Sequence, residues 1–275
     1  MRCLGAFEVT LGQSVVTAFP TDKIRALLAY LALEATQPHR RELLAGLLWP
    51  EMLGPLALTN LRLALHRLRQ TLNEAVPGSA DQLIRSTRQT LHLNSAAITV
   101  DVAELQALLT ACNVHAHVDL TTCESCVARL ARAMTLYRGE LLAGFGLLDA
   151  PAFEEWLLLK RESLHQQALA ALHQLVLVYE QRGDDQQAHR YASQQLALDP
   201  SREEAHRQLM RILARIGLRE QALAQYESCR RILREQLGVE PDVATMALTE
   251  QIRSGAGFDR ATRRQDDKGI EPPAP

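Results

Sequence analysis

A thirty-four-residue period is the strongest constraint on how this chain can fold. Gly183 and Gly217 are separated by that interval, and so are Ala188 and Ala222, Leu175 and Leu209, and Val178 and Ile212. Glycine recurs where a helix must end in a left-handed residue, and alanine recurs where two helices must cross closely. Pro200 and Pro241 each follow one such unit, where helices stop. A helical hairpin of this size cannot bury its apolar face alone, so each copy stacks on the next. Two units are regular, and the Glu162–Arg182 helix and its predecessors extend the stack less regularly.

Composition agrees with helix-on-helix packing. Of 275 residues 47% are hydrophobic, yet only 4% are aromatic, which disfavours a large β-sandwich. Two domains are expected at this length. No apolar run approaches the eighteen or so residues of a membrane span, and MRCLGAFEV lacks the regions of a signal peptide. The expectation is a cytoplasmic protein without a membrane partner, its five cysteines reduced or metal-bound. Net charge is −2, but it is unevenly spread: residues 1–100 carry ten Lys and Arg against seven Asp and Glu, and residues 101–255 carry sixteen against twenty-one.

The N-terminal piece reads as a mixed domain. Residues 3–9 suit a short strand, Gly12-Gln13 a turn and Val15–Ala18 a return strand. Thr21 can cap a helix over Asp22–Glu34 whose stripe is Ile24, Leu27, Leu28 and Leu31. A second helix runs Arg40–Leu48 with Leu43, Leu44 and Leu47 inward. The third, Leu56–Glu74, has Leu61, Leu65, Leu68 and Leu72 at helical spacing and no acidic residue from Met52 to Asn73. Leu83–Thr87 and Thr90–Leu93 then pair around Arg88-Gln89. This order predicts a winged helix-turn-helix: a small sheet, three helices and a β-hairpin wing. In that layout the third helix enters the major groove of double-stranded DNA. Thr59, Asn60, Arg62, His66, Arg67 and Arg69 are its candidate DNA-binding residues, with Arg85 and Arg88 as the wing's phosphate contacts. Taken by composition alone, these residues are a solvated helix face; their place before a hairpin favours the DNA reading.

Further on, Asp101 opens a helix to about Ala111, Thr121–Glu124 reads as a capping box for a helix to Tyr137, and Pro151 starts a long helix with Phe153, Trp156, Leu157 and Leu164. Between the first two lies Cys112-x2-His115-x-His117-x5-Cys123-x2-Cys126. Four of these five donors can complete tetrahedral coordination of one structural zinc. Buried reduced thiols beside surface histidines are the alternative; a redox CxxC lacks its βαβ surroundings. Cys3 and Cys229 read as lone thiols.

GAFEV (5–9), IRALLAYLAL (24–33), LLWPE (47–51), NLRLALHRLR (60–69), LYRGELLAGF (136–145), FEEWLLLKRE (153–162), LALDPSREEAHRQLM (196–210) and LGVEPD (237–242) together resemble one family. It is that of bacterial transcriptional activators typified by the Streptomyces antibiotic regulatory proteins. These join an OmpR-type winged helix to a bacterial transcriptional activator domain of tetratricopeptide-like helices. The resemblance implies promoter binding, often to direct repeats, homo-oligomers on DNA, and contact with RNA polymerase. The expected division is a winged helix at 1–97, the tetratricopeptide-like helical repeat domain at 98–254 and a disordered tail or linker at 255–275, mainly α overall. There is no GxxxxGK[ST] phosphate loop, and no nucleotide site, catalytic triad or paired-carboxylate arrangement points to an enzyme. The competing function is a helical-repeat protein–protein adaptor whose N-terminal domain is only structural; the arginine-rich third helix and basic wing speak against it.

Overall fold

The computed structural model describes residues 1–16, 18–116 and 119–255. Strands β1 (Val9–Leu11) and β2 (Ser14–Val16) form an antiparallel hairpin through the Gly12 turn, Val9 opposite Val16. Helix α1 (Asp22–Leu33) buries Ile24, Leu27, Leu28 and Leu31, the expected stripe. Strand β3 (His39–Arg40) leads into α2 (Arg41–Leu48), and α3 (Gly54–Ala75) follows with Pro55 in its first turn. A one-turn helix, α4 (Ser79–Leu83), precedes the wing strands β4 (Ile84–Ser86) and β5 (Thr90–Leu93). The sheet order is β3-β5-β4, all antiparallel, so the wing is anchored by a third strand.

Helices α5 (Asp101–Asn113), α6 (Glu124–Leu136) and α7 (Pro151–Arg182) come next, then the repeats α8 (Asp185–Leu198), α9 (Glu203–Arg215), α10 (Arg219–Leu237) and α11 (Val243–Ser254). The fold is mainly α: a winged helix-turn-helix followed by helical hairpins. The thirty-four-residue period is visible bond by bond. The Gly183 N–H donates to Glu180 O and the Asp184 N–H to Tyr179 O; one period later Gly217 donates to Ala214 O and Leu218 to Leu213 O. Gly183 and Gly217 take φ +72° and +83°, a conformation that side chains disfavour. Ala188 and Ala222 are both fully buried.

Several expectations need correction. Residues 3–9 do not make one continuous strand: Leu4 and Glu8 form isolated antiparallel bridges, to Leu141 and Arg2, and Val9 opens β1. The Cys3 and Leu4 N–H groups donate instead to the buried carboxylate of Asp101, 2.8–3.0 Å away, which also takes an ion pair from Arg138 at 2.9 Å. Leu43 is exposed rather than inward, because α2 turns Leu44, Ala45 and Leu48 to the core. Thr121 does not open a capping box: it lies in a 3-10 turn capped by Asp119, and α6 starts after Cys123.

By packing, the chain forms two compact units, residues 1–114 with 132–166, and 115–131 with the chain from 167 onward. This division differs in kind from the linear one at 97/98. In the first unit, Arg161 from α7 donates to the carbonyls of Leu141, Leu142 and Phe145, each at 2.9 Å, and Trp156 Nε1 donates to Glu34. Of the expected tail at 255–275, Gly255 caps α11 and the rest lies outside the described residues.

Candidate functional site

Helix α3 is held from one side. Leu61, Leu65, Leu68 and Leu72 are buried, with Ala57, Ala64 and Thr71 filling the gaps. At 100° per residue this stripe forces the polar positions outward in two shoulders. Arg62, His66 and Arg69 fall within about 60° of one another, while Asn60 and Arg67 lie about 140–160° round from Arg62. Between the shoulders, at the outermost line, stand Thr59, Leu63 and Gln70, all exposed, with Leu63 among the exposed large apolar side chains.

The first shoulder faces the wing. Arg69 Nη2 donates to Ser86 Oγ at 2.9 Å, tying α3 to β4. Arg62 lines an open cleft of about 720 Å³ with Arg41, Glu42, Leu58, Ser86, Thr87 and Arg88. Arg41 Nε donates to Thr87 O at 3.1 Å and its backbone N–H to Gln89 O, so the start of α2 braces the wing turn. Burial, and then the positive fields of Arg62 and Arg69, lower the pKa of Arg41 below its ordinary value. With Glu42 against Arg41, Arg62 and Arg88, the cleft lining carries net positive charge. Sequence reasoning missed Arg41. The Arg40-Arg41 doublet was the available signal, but β3 is what brings it beside the wing.

The second shoulder faces elsewhere. Asn60 and Arg67 line a groove with Thr21, Lys23, Trp49 and Leu148. Asn60 Nδ2 donates to Met52 Sδ, and Thr59 Oγ1 to Pro55 O. Arg85 and Arg88 are exposed on the wing, where Thr87 Oγ1 accepts the N–H groups of Gln89 and Thr90 and sets the turn. Among the described residues, Arg62, Arg67, Arg85 and Arg88 form no ion pair with a carboxylate. Exposed guanidinium forks of this kind can engage phosphate oxygens and base edges bidentately.

The cysteine–histidine cluster is partly assembled. His115, Cys123 and Cys126 bring their ligand atoms within 4.8 Å of one another. Cys126 is buried and Cys123 half-buried at the entrance to α6, where the Cys126 N–H donates to Cys123 O. The Ser125 hydroxyl beside the Cys123 sulfur, with the Cys126 backbone N–H, holds the Cys123 thiol below its ordinary pKa. Cys112 is buried in the last turn of α5, and His117 lies outside the described residues. Cys3 and Cys229 are buried thiols; burial raises both, Cys229 to about 12.

A winged helix-turn-helix whose third helix carries no acid before Glu74, followed by stacked helical hairpins, defines the class. Residues 100–253 match the bacterial transcriptional activator domain, and the chain belongs to that family. It is 30% identical over 251 residues to the regulatory protein AfsR of Streptomyces coelicolor, covering 88% of this chain. The match spans only 23% of that relative's length. Among solved structures it resembles Mycobacterium tuberculosis EmbR, determined with a low-affinity phosphopeptide. The TM-score is 0.64 at 21% identity, over 96% of this chain and 67% of that one. That likeness shows the shared fold. Among the described residues no helix is long and apolar enough to cross a membrane.

Proposed function

We propose that this chain is a sequence-specific, double-stranded-DNA-binding activator of transcription that acts in the cytoplasm. The observation that carries the reading is the cluster of arginines without carboxylate partners on α3 and the wing, in a family of transcriptional activators. In this reading α3 lies in the major groove. Arg62 and Arg67 reach base edges from its two shoulders, with His66 and Asn60 as further polar readers. Thr59 and Leu63 lie on the outermost line, and an exposed leucine there suits apolar contact with a thymine methyl group. Arg85, Arg88 and Arg41 hold phosphates along the cleft, while Arg69 sets the angle between helix and wing. The helical repeats supply the surface for RNA polymerase or for a second copy on neighbouring half-sites.

In vitro selection of bound duplexes with residues 1–275, followed by gel shifts on the selected site, tests this. The expected result is a defined motif, repeated if two copies bind. The Arg62→Ala and Arg67→Ala variants should lose binding while keeping the wild-type helical circular dichroism. Recovery of no enriched sequence, or full affinity in both variants at moderate salt, would exclude α3 as the reading element.

A further inference from the structure

His115, Cys123 and Cys126 converge in a way that hydrogen bonding alone does not explain. His115 Nδ1 lies 3.1 Å from Cys126 Sγ and 3.5 Å from Cys123 Sγ. An imidazole nitrogen offers one in-plane position, either a proton or a lone pair. Two sulfurs directed at the same nitrogen exceed what that position can serve. Around a tetrahedral zinc the same atoms have a natural place. Bonds of about 2.3 Å to sulfur and about 2.0–2.1 Å to nitrogen put neighbouring N and S ligands about 3.6 Å apart. The two N···S separations lie within about half an ångström of that value, and all three ligand atoms fall within 4.8 Å.

The surroundings favour thiolates. Cys123 immediately precedes α6 and Cys126 sits in its first turn, at the positive end of the helix dipole. Arg129, one turn further on, directs Nη1 toward Cys126 Sγ at 3.7 Å. His115 comes from the segment before the 3-10 turn at Leu120–Thr122, so the three ligands join a loop to the head of a helix. That segment has further ties within the same unit: Arg182 Nε donates to Thr121 O at 2.7 Å, and Arg182 pairs with Glu124 at 3.0 Å. His115 is exposed and Cys123 half-buried, so the cluster lies at the protein surface.

We propose that His115, Cys123 and Cys126 bind one thiophilic divalent cation, zinc, which ties His115 to Cys123 and the first turn of α6. The role is structural. This assignment stands apart from the DNA reading and survives its failure.

The test uses the full chain, purified under reducing conditions without chelator. About one zinc per chain is expected by elemental analysis. After removal of zinc, cobalt(II) should restore occupancy with a thiolate charge-transfer absorption and the visible spectrum of a tetrahedral ion. Cys123→Ser with Cys126→Ser should abolish both. His115→Ala, at an exposed position, should weaken the metal by at least the roughly 10–100-fold that loss of a supporting outer-shell residue costs. Cys229→Ser should change nothing. A folded wild-type chain that takes up neither zinc nor cobalt overturns the assignment. So does a double serine variant that keeps its metal, or a Cys123–Cys126 disulfide persisting under those reducing conditions. Because the cobalt spectrum is read on the wild type, poor folding of a variant does not blunt the test.

Discussion

Arginine plays opposite parts in the two ends of this chain. On α3 and the wing, Arg62, Arg67, Arg85 and Arg88 have no carboxylate partners among the described residues. In the repeats, Arg207 pairs with Asp242 at 2.7 Å, Arg215 with Asp185, and both Arg230 and Arg234 with Glu240. The residue type is the same, and Arg62 and Arg67 share the helical setting of the repeat arginines. What differs is pairing: Glu42 lines the cleft of Arg62 and Arg88, and Asp22 and Asp149 the groove of Arg67, yet none of them forms an ion pair with those arginines. A guanidinium already paired within its own chain stabilises the fold modestly; an exposed, unpaired one remains solvated and available to an external anion. The contrast separates the two regions more sharply than net charge does, since the chain as a whole is slightly acidic.

Substitutions can break or sharpen this contrast. The largest effect is expected from Arg62→Ala combined with Arg67→Ala. Each bidentate base contact is worth about 1–3 kcal/mol of discrimination, so the pair should lower affinity for the selected duplex by several hundredfold or more, roughly. The melting temperature should stay within a degree or so, roughly, because neither side chain is part of the core. A large loss of stability in that variant would erase the distinction between the two regions.

Next in size is Arg207→Ala in the repeats. Its guanidinium, 20% exposed, bonds both Asp242 and Thr245. Its loss should destabilise by about 1–2 kcal/mol, read by denaturant unfolding, and leave DNA affinity unchanged. A matching drop in DNA affinity would argue that the two regions are not separable in function.

A smaller effect is expected at the wing. Arg88→Ala should reduce the slope of log affinity against log salt by about 1 while weakening binding evenly across sequences. A change in the preferred sequence instead would place Arg88 among the base readers.

The smallest is a pH effect confined to the repeats. His206 is buried, its Nε2 2.9 Å from Pro200 O and its Nδ1 taking a bond from Gln225, and burial lowers its pKa below the ordinary value. The folded state therefore holds the neutral ring while the unfolded chain protonates first as pH falls. The contribution is complete above the unfolded value of about 6.5 and declines as pH drops toward and through the folded one. Thermal melts between neutral and mildly acidic pH should show this decline, and a His206→Gln variant should flatten it.

Much of the fold was legible because its signals are local. Glycine and alanine positions fixed the hairpin repeats, and the leucine spacing of Leu61, Leu65, Leu68 and Leu72 fixed the buried side of α3. The failures are non-local. Residues 3–9 alternate like a strand, but the Cys3 and Leu4 amides are taken by Asp101, ninety-eight residues from Cys3, and the Gly5 amide by Glu140 O. Leu43 looked like core because α2 is short and leucine-rich, and no periodicity distinguishes it from Leu44 over eight residues. The arginines of α3 were readable from the absence of acids. Arg41 was not, since its place beside Arg62 and Arg88 depends on the pairing of His39 and Arg40 with β5.

The Asp101 carboxylate also has a bearing on how this protein can be cut. A fragment ending at residue 97, the natural boundary for a DNA-binding piece read from the sequence, removes the acceptor for the Cys3 and Leu4 amides. Each buried N–H left without a partner costs about 1–3 kcal/mol. Because the compact unit that contains α3 also draws on residues 132–166, no single contiguous excision isolates it without the intervening segment. Laboratory work on the reading head should therefore begin with a fragment reaching at least residue 166, and shuffling of such heads between relatives should exchange α5 and the first half of α7 along with them.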